Sequence, residues 1–307
     1  MVADDRGQLL LAGSIIIALL FIGLAVLLNS VVFTENVAGG SSVEVTGDVN
    51  EFNREARRNA RSLTIRVNHA GNYSSINEIE SNLAANFTNY SRRLGESYAD
   101  TGSVFVNMSY ETTTDEGRRV VQTDDGTFEN GVGDWNALDG VSDRHLGWFV
   151  LNLNASAVSE TTESRIRFVN TTGDSYVLTV KRSDTGRLLV NSTMDGSHTS
   201  NVSCTPTGGR LVMNVIDGTS STSSCEVNGS QVLGGPYNEL WFENPGAVSG
   251  KYEFVVDDTI SPIVPGCSLT SNPCKMPAAW EIRITTAYHT GTVTYENTQE
   301  IVVYEPT

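Results

Sequence analysis

Basic residues are scarce in this sequence, and lysine is the scarcer of the two main types. The 307 residues include 20 Lys and Arg against 36 Asp and Glu, a formal net charge of -16, and the lysines are only Lys181, Lys251 and Lys275. Nucleic-acid binding needs clustered Lys and Arg, so this composition argues against a nucleic-acid partner. A lysine-poor, acidic surface is typical of proteins in very high salt, where charges are screened to within about 3 Å at 1 M. An ordinary acidic secreted protein is the alternative.

Motifs for catalysis and for metal binding are lacking as well. The four histidines stand singly, at positions 69, 145, 198 and 289, and the sequence has no CxxC pair, so the spacing gives a zinc site little support. No GxSxG nucleophile elbow is present. We therefore expect no enzymatic activity and no cofactor, with each histidine a surface or packing residue.

The few cysteines and the Asn-x-Ser/Thr sequons indicate an extracytoplasmic compartment. An even number of cysteines favours disulfides there, and of three possible connectivities we favour Cys204 with Cys225 and Cys267 with Cys274, because each pair closes a short loop. Nine glycosylation sequons all lie beyond residue 33. Their asparagines are Asn72, Asn86, Asn89, Asn107, Asn154, Asn170, Asn191, Asn201 and Asn228.

One long apolar run lies near the start of the chain. Residues 9–33 include no charged side chain, and about 20 apolar residues in a helix are enough to cross a bilayer core. The run predicts a transmembrane helix after a cytoplasmic leader, residues 1–8, in which Arg6 favours a cytoplasmic N-terminus. The predicted location is the cell membrane, crossed once, with the lipid bilayer as a partner and the C-terminal domain outside the cell.

The residues just before this run, Asp5-Arg6-Gly7-Gln8, resemble the class III signal of archaeal type IV pilin-like proteins and archaellins. The resemblance implies that a prepilin peptidase cuts between Gly7 and Gln8 and leaves the apolar helix on the mature protein for assembly into a filament. Its implied partners are that peptidase and like subunits or other pilin-like proteins. Ala12 stands where many pilins place a glutamate, which archaellins commonly lack as well.

Short motifs further along are similar to an uncharacterised family of haloarchaeal membrane-anchored proteins with the same Arg-Gly-Gln start. This resemblance covers most of the chain and implies a pilin-like protein of the cell surface. The motifs are the stretch from Asp134-Trp135-Asn136 to Asn154-Ala155-Ser156, the segment from Cys204 to Cys225, Gly235-Pro236-Tyr237 and Gly250-Lys251-Tyr252-Glu253.

Two amphipathic helices are predicted after a flexible linker at residues 34–47. Apolar residues spaced by three and four predict an antiparallel helical hairpin over about 48–69 and 75–98, within a stalk or collar at 48–100. A basic face lies opposite the apolar stripe of the first helix. It is either a solvated face paired with local acids or a contact with acidic lipid headgroups or an acidic subunit. Its residues are Arg54, Arg57, Arg58 and Arg61.

From residue 101 to 307 the apolar period changes to two, and strand candidates such as 148–153, 239–243 and 251–256 recur between turn residues. A turn at 115–117 is predicted to make a hairpin of the first two strands. Many short strands predict an extracellular, mostly antiparallel, jelly-roll-like β-sandwich. The predicted fold class is therefore α+β, with an N-terminal transmembrane helix, a helical hairpin and this sandwich.

Together these features predict a non-catalytic structural protein of the cell surface, a pilin-like subunit or a membrane-anchored surface glycoprotein. The alternative is a membrane-anchored binding module, an adhesin or lectin-like domain, that uses the acidic, Gly-rich stretch at 124–135. Oxygen ligands there could hold calcium, although the EF-hand spacing is not matched. The candidate ligands are Asp124, Asp125, Glu129 and Asp134. The tryptophans at 135, 148, 241 and 280 are either exposed for sugar binding or part of the core.

Overall fold

The structure, a computed structural model, describes residues 42–101, 104–131, 133–138, 143–221, 225–227, 235–258 and 273–304. Two helices come first, α1 at Ser42–Ala70 and α2 at Ile76–Thr101. Strands follow in chain order. They are β1 Phe105–Thr127, β2 Trp135–Asn136, β3 Leu146–Asn154, β4 Ser164–Asn170, β5 Ser175–Arg182, β6 Leu188–Met194, β7 Ser197–Cys204, β8 Arg210–Asn214, β9 Thr219–Ser220, β10 Tyr237–Glu243, β11 Ser249–Val256, β12 Cys274–His289 and β13 Thr294–Val302.

The strands form two sheets. One has seven strands in the order β13-β12-β1-β11-β3-β8-β9, and the other has six in the order β2-β10-β4-β5-β6-β7. Neighbouring strands pair antiparallel in both sheets: β11 does so with β1 and with β3, and β4 with β5. A two-sheet β-rich architecture is therefore present, as the alternating sequence pattern predicts.

The predicted fold class is nevertheless wrong as stated. The described chain is mostly antiparallel sheet with two helices, rather than α+β with an N-terminal transmembrane helix. Within the ranges given above, no helix combines the length and the apolar composition that a membrane crossing requires. The predicted span at 9–33 lies outside the described residues, as do most of the predicted linker and the leader.

The two helices bury one stripe each, with bounds that differ from the prediction. The first begins at Ser42 rather than at 48, and the second begins at Ile76, where Glu78 accepts hydrogen bonds from the Ser74 backbone N–H at 2.8 Å and the Ser74 hydroxyl at 2.9 Å. Such a carboxylate satisfies donors left open at a helix N-terminus. The buried apolar residues recur at helical spacing and form only part of the predicted stripes: Val49, Phe52, Ala56, Ala60, Val67, Ile79, Leu83 and Phe87.

The chain divides into two compact units. The smaller unit comprises, among described residues, 42–57, 89–101, 104–108 and 286–297. Its core contains Val49, Phe52, Val106 and Tyr288, with the Phe52 and Tyr288 ring centroids 5.5 Å apart. The Ser91 hydroxyl donates to Asn107 Oδ1 at 2.6 Å and accepts from the Met108 backbone N–H at 2.9 Å. Apolar packing and these two hydrogen bonds therefore stabilise this unit from within.

The larger unit comprises residues 58–88, 109–285 and 298–307, described as far as 304. Its main core is an aromatic cluster between the two sheets, where Phe149, Phe242 and Phe254 are almost fully buried. The Phe149 centroid lies 5.5 Å from Phe254 and 6.3 Å from Phe242. Large aromatic side chains bury the most apolar area per residue, so this cluster is the main source of hydrophobic stabilisation in the unit.

Strand β1 corrects the predicted hairpin, because it continues through residues 115–117 without a turn. Gly117 lies where β1 runs close to its neighbours: a Cβ atom there would be 2.8 Å from the Val256 carbonyl oxygen and 3.3 Å from the Trp280 ring. The glycine therefore permits a close approach of strands, whereas in the sequence it has the appearance of a turn residue.

The predicted jelly roll is also not what the sheets form. Four consecutive strands, β4 to β7, pair with one another in sequence order as a meander within one sheet. A jelly roll is a pair of sheets built from two Greek keys, in which successive strands do not stay together in this way. The loops between these strands are short, and short loops favour pairing with the next strand along the chain.

We predict that Gly117→Ala destabilises the protein by about 1–3 kcal/mol, because the added methyl group overpacks a fixed backbone contact. The matched control is Gly126→Ala in the same strand, where the nearest atom to an added Cβ is 3.6 Å away. Urea unfolding followed by tryptophan fluorescence measures both. Equal stability of the two variants would contradict the close-approach explanation.

Candidate functional site

A polar cluster lies where the last turn of α1 meets the larger unit's sheet, and we call it the His69 cluster. Its members are Asn68, His69, Arg119, Glu253 and Tyr304. Glu253 Oε1 is in contact with His69 Nδ1 and accepts from Arg119 Nε at 2.6 Å. Arg119 also donates through Nη1 to the Gly71 carbonyl at 2.9 Å. One carboxylate therefore connects a histidine and an arginine that come from different elements.

On the other side of the cluster, Asn68 forms hydrogen bonds to β12 and to Tyr304, which lies just after β13. Asn68 is fully buried. Its Nδ2 donates a hydrogen bond to the Ala279 carbonyl and its Oδ1 accepts one from the Ala279 backbone N–H, both at 2.9 Å. The amide thus pairs with Ala279 as the backbone of a neighbouring strand would. Its Nδ2 also donates to the Tyr304 hydroxyl at 3.0 Å, which lies 3.1 Å from His69 Nε2. Each ring nitrogen of His69 thus has a partner within the cluster.

Burial and charge act against each other at Glu253. Burial raises the pKa of this carboxyl, but hydrogen bonds from His69 and Arg119 and the charge of Arg119 outweigh burial, so its pKa lies below the ordinary value. Burial raises the pKa of the Tyr304 hydroxyl, which stays protonated. The Trp148 ring centroid lies 4.9 Å from that of His69. These polar groups therefore satisfy one another's hydrogen-bonding capacity, and the cluster holds the end of α1 against the sheet.

A second buried ion pair lies nearby in the same unit. Arg118 Nη2 is 3.1 Å from Asp258 Oδ2, and the two side chains are 7% and 0% exposed. Arg144 is 3.9 Å from the other oxygen of Asp258. Burial lowers the pKa of the Arg118 guanidinium, and Asp258 opposes that effect. Because a buried charge without a partner is costly, each member of this pair requires the other.

The structure distributes the predicted calcium ligands rather than gathering them. Asp125 pairs with Arg210 through two contacts of 2.7 and 2.8 Å, and Asp134 accepts from the Asn244 backbone N–H at 2.7 Å. Glu129 accepts from the Thr127 hydroxyl, and Asp124 from the Thr123 hydroxyl at 3.4 Å. Across the described residues, no group of three or more His, Cys, Asp or Glu is placed to hold a metal ion. The predicted metal site therefore has no support.

The tryptophans differ in position. Trp135 and Trp280 are buried, whereas Trp148 and Trp241 are half-buried. Trp135 stacks on Phe242 at 4.7 Å between centroids, and its Nε1 donates to the Phe128 carbonyl at 2.8 Å. It is therefore a core residue. Trp135 therefore gives the stretch at 124–135 no exposed ring for sugar binding.

The basic face of α1 is partly as predicted. Arg54 and Arg57 are exposed in the smaller unit, and Arg58 is exposed in the larger one. Arg61 is half-buried and donates through Nε to the Val303 carbonyl at 2.6 Å, so it is a packing residue of the larger unit. Contact of this face with an acidic partner stays a prediction.

The cysteines are oxidised in the described residues. Cys204 and Cys225 form a disulfide with a Cα–Cα distance of 4.9 Å, the pairing favoured from the sequence, and both residues are buried. Cys274 is disulfide-bonded as well. Its predicted partner Cys267 lies outside the described residues, as do the processing residues Gly7 and Gln8.

The sequon asparagines lie at the surface in every case that can be assessed. Asn228 is outside the described residues. Of the other eight, none is buried. Those exposed are Asn72, Asn89, Asn107 and Asn201, and those half-buried are Asn86, Asn154, Asn170 and Asn191. Their modification stays a prediction that this placement allows.

The His69 cluster was missed at the sequence level. His69 and Glu253 are 184 residues apart, and no spacing rule connects a helix terminus to a distant strand. The one signal was Glu253 itself, a charged residue between two aromatic residues in a predicted strand. Its side chain had to face away from the core and could have been expected to have a basic partner there.

We predict that replacing Cys204 and Cys225 together by alanine costs about 3 kcal/mol, because the disulfide closes a loop of 21 residues and restricts the unfolded chain. Urea unfolding of the oxidised wild type and the double variant provides the comparison. A loss below about 1 kcal/mol would show that the loop is ordered by other contacts.

We predict that Glu253→Gln costs about 2 kcal/mol at pH 7, because the substitution leaves Arg119 buried without a charged partner. The folded pKa of Glu253 is lowered, so the carboxylate stabilises the fold fully above the unfolded value of about 4.3 and loses this effect as the pH falls through the folded value. The difference between wild type and variant should therefore shrink in acid.

The control is Glu300→Gln, which breaks an exposed pair with Arg283 and should change stability by less than about 0.5 kcal/mol. Urea unfolding at several pH values between 3 and 7 measures all three proteins. A pH-independent difference for Glu253→Gln would exclude its ionisation as the cause.

A comparison with protein families finds one match to this chain. Residues 3–142 match the model of a family described as "Family of unknown function (DUF7261)". The match covers α1, α2, β1 and β2 among the described elements. No curated protein and no solved structure matches the chain.

Proposed function

We propose that this chain is a non-catalytic structural protein of the cell surface, a glycoprotein or a pilin-like subunit, with the two-sheet unit displayed outside the cell. The observation that carries the proposal is the placement of the sequons. None of the eight described acceptor asparagines is buried, although they are spread over the connection between α1 and α2, α2 itself and the strands. N-linked glycans need acceptors at the surface of an extracytoplasmic protein.

The local geometry at several sequons supports access. Asn72 lies in the exposed connection between α1 and α2. Asn170 lies at the turn between β4 and β5, where its Oδ1 accepts from the Thr172 and Asp174 backbone N–H groups. Turns of this kind present a short segment of chain at the surface, where a bulky modification does not disturb the sheet ladder.

The disulfide supports the same compartment. Buried disulfides such as Cys204–Cys225 persist in oxidising surroundings and are rare in the cytosol. The acidic composition agrees with a protein exposed to high salt, since the net charge of -16 favours solubility there.

The contacts of His69, His145 and His289 favour a non-catalytic role. His69 is held by Glu253 and Tyr304, and His145 is paired with Asp257 at 2.9 Å. His289 lies beside the Phe105 ring, with centroids 5.7 Å apart. These contacts are to structural neighbours on the same chain. None of them includes a serine, threonine or cysteine that the histidine would activate.

The pilin-like form of the proposal depends on Asp5-Arg6-Gly7-Gln8. A prepilin peptidase would cut between Gly7 and Gln8, and like subunits would then be the partners. The glycoprotein form does not require that cut.

The test is mass spectrometry of the mature protein purified from the cells that encode it. The proposal predicts glycans on several of the nine sequons and no free thiol. Glycosidase treatment before digestion is the control for glycan assignment. Absence of glycan from all nine sequons, together with free thiols, would overturn the surface assignment. The N-terminal peptide separates the two forms, since a pilin-like subunit begins at Gln8.

A further inference from the structure

Strand β7, Ser197–Cys204, is the last strand of the six-stranded sheet among the described residues. It pairs with β6 along one side, from Leu188 opposite Cys204 to Met194 opposite Ser197. The backbone N–H and C=O groups of its other side form an edge of eight residues. An edge strand of this length is a template for pairing with another chain unless something protects it.

The other sheet edges in the described structure have visible protection. Strands β2 and β9 are two residues long, which is too short to template pairing. Strand β13 has nine residues and carries Glu296 and Glu300, whose charges disfavour pairing with a second copy. Strand β7 contains no Asp, Glu, Lys, Arg or Pro, and only a register shift opposite Ser192 and Thr193 interrupts its ladder.

A sequon occupies the middle of this edge strand. Asn201 is exposed, and directly opposite it on β6 is Asn191, the acceptor of another sequon. Asn191 is half-buried, and its Oδ1 is buried without a hydrogen-bond partner in the part of the chain that the structure describes. On its far side Asn191 pairs with Thr179, which is buried. Of the two adjacent acceptors, Asn201 is therefore the more open to solvent.

We propose that Asn201 carries a glycan that shields the free edge of β7 and that Asn191 stays unmodified. The inference rests on the proposed surface location, because N-glycosylation occurs outside the cytoplasm. In the transfer, the Asn201 amide nitrogen attacks the anomeric carbon of a glycosyl phosphate donor. The bond from that carbon to the phosphate oxygen breaks, the phosphate leaves with the electron pair, and the nitrogen loses one proton.

Steric arguments explain both parts of the proposal. Side chains directly opposite on neighbouring strands have Cβ atoms about 4.5–5.5 Å apart, which leaves no room for two carbohydrate chains. A strand added to the edge would lie about 4.8 Å from β7 and would place a side chain directly beside Asn201. A glycan at Asn201 therefore excludes both a second glycan at Asn191 and a second chain at the edge.

The first experiment uses a convenient digest. No Lys or Arg lies between Arg187 and Arg210, so trypsin releases residues 188–210 as one peptide that includes both acceptors. Mass spectrometry of this peptide from the reduced native protein should show one glycan, on Asn201. A glycan on Asn191, alone or with Asn201, would overturn the proposal. So would a bare 188–210 peptide from a protein that is glycosylated elsewhere, whereas nine bare sequons together with free thiols would overturn the proposed function as well.

The second experiment tests the role of the glycan at the edge. Ser203→Ala destroys the Asn201 sequon and keeps the asparagine, whereas Ser203→Thr preserves the sequon. Sedimentation velocity should show self-association of Ser203→Ala at about tenfold lower protein concentration than wild type, with Ser203→Thr unchanged. Thr193→Ala, which destroys the Asn191 sequon, should also behave as wild type. Equal association of all four proteins would overturn edge protection.

A second variant separates edge exposure from misfolding. Asn201→Gln should associate as Ser203→Ala does while keeping the wild-type circular dichroism spectrum and urea midpoint. If Ser203→Ala and Asn201→Gln associate only when their spectra show unfolding, the glycan stabilises folding and the edge proposal is overturned.

Discussion

Strand β11 uses both of its faces, and the larger unit depends on this alternation. Tyr252 and Phe254 are buried in the aromatic core between the sheets, and Glu253 between them binds His69 and Arg119 on the opposite face. Successive side chains of a strand point to opposite sides. One face of this short strand therefore packs against the second sheet, and the other binds α1 through charge-assisted hydrogen bonds. A register slip of one residue would place Glu253 among aromatic rings, which the core could not accommodate.

Several of the scarce arginines of this acidic protein form ion pairs with carboxylates of the same chain. Arg118 pairs with Asp258, Arg119 with Glu253 and Arg210 with Asp125. The first two pairs are mostly buried, where removal of either partner is costly, whereas the pair of Arg210 is more exposed and contributes less. Because these cations neutralise carboxylates within the fold, the excess of acidic residues remains for the surface.

Local patterns predicted much of this architecture. The alternation of apolar residues indicated β3, β10 and β11, and spacing by three and four indicated both helices, because each of these elements buries one face. Strand β7 escaped prediction because most of its residues are polar and only Val202 and Cys204 near its end are apolar. Its place in the sheet depends on backbone pairing with β6. Strand β1 was divided wrongly at Gly117, because a glycine that permits close approach has the same local signature as a turn glycine.

The sequence by itself determined the periodic elements, the pairing of Cys204 with Cys225 and the positions of the sequons, since these depend on residues close together in the chain. Only the tertiary structure decided which strands share a sheet, that Trp135 is a core residue and Asp125 an ion-pair partner, and that Asn191 faces Asn201 across two strands. It also brought His69 to Glu253. The physical reason is that burial and cross-strand register depend on how distant segments pack, and a local pattern indicates which face of an element is apolar without indicating what will cover it.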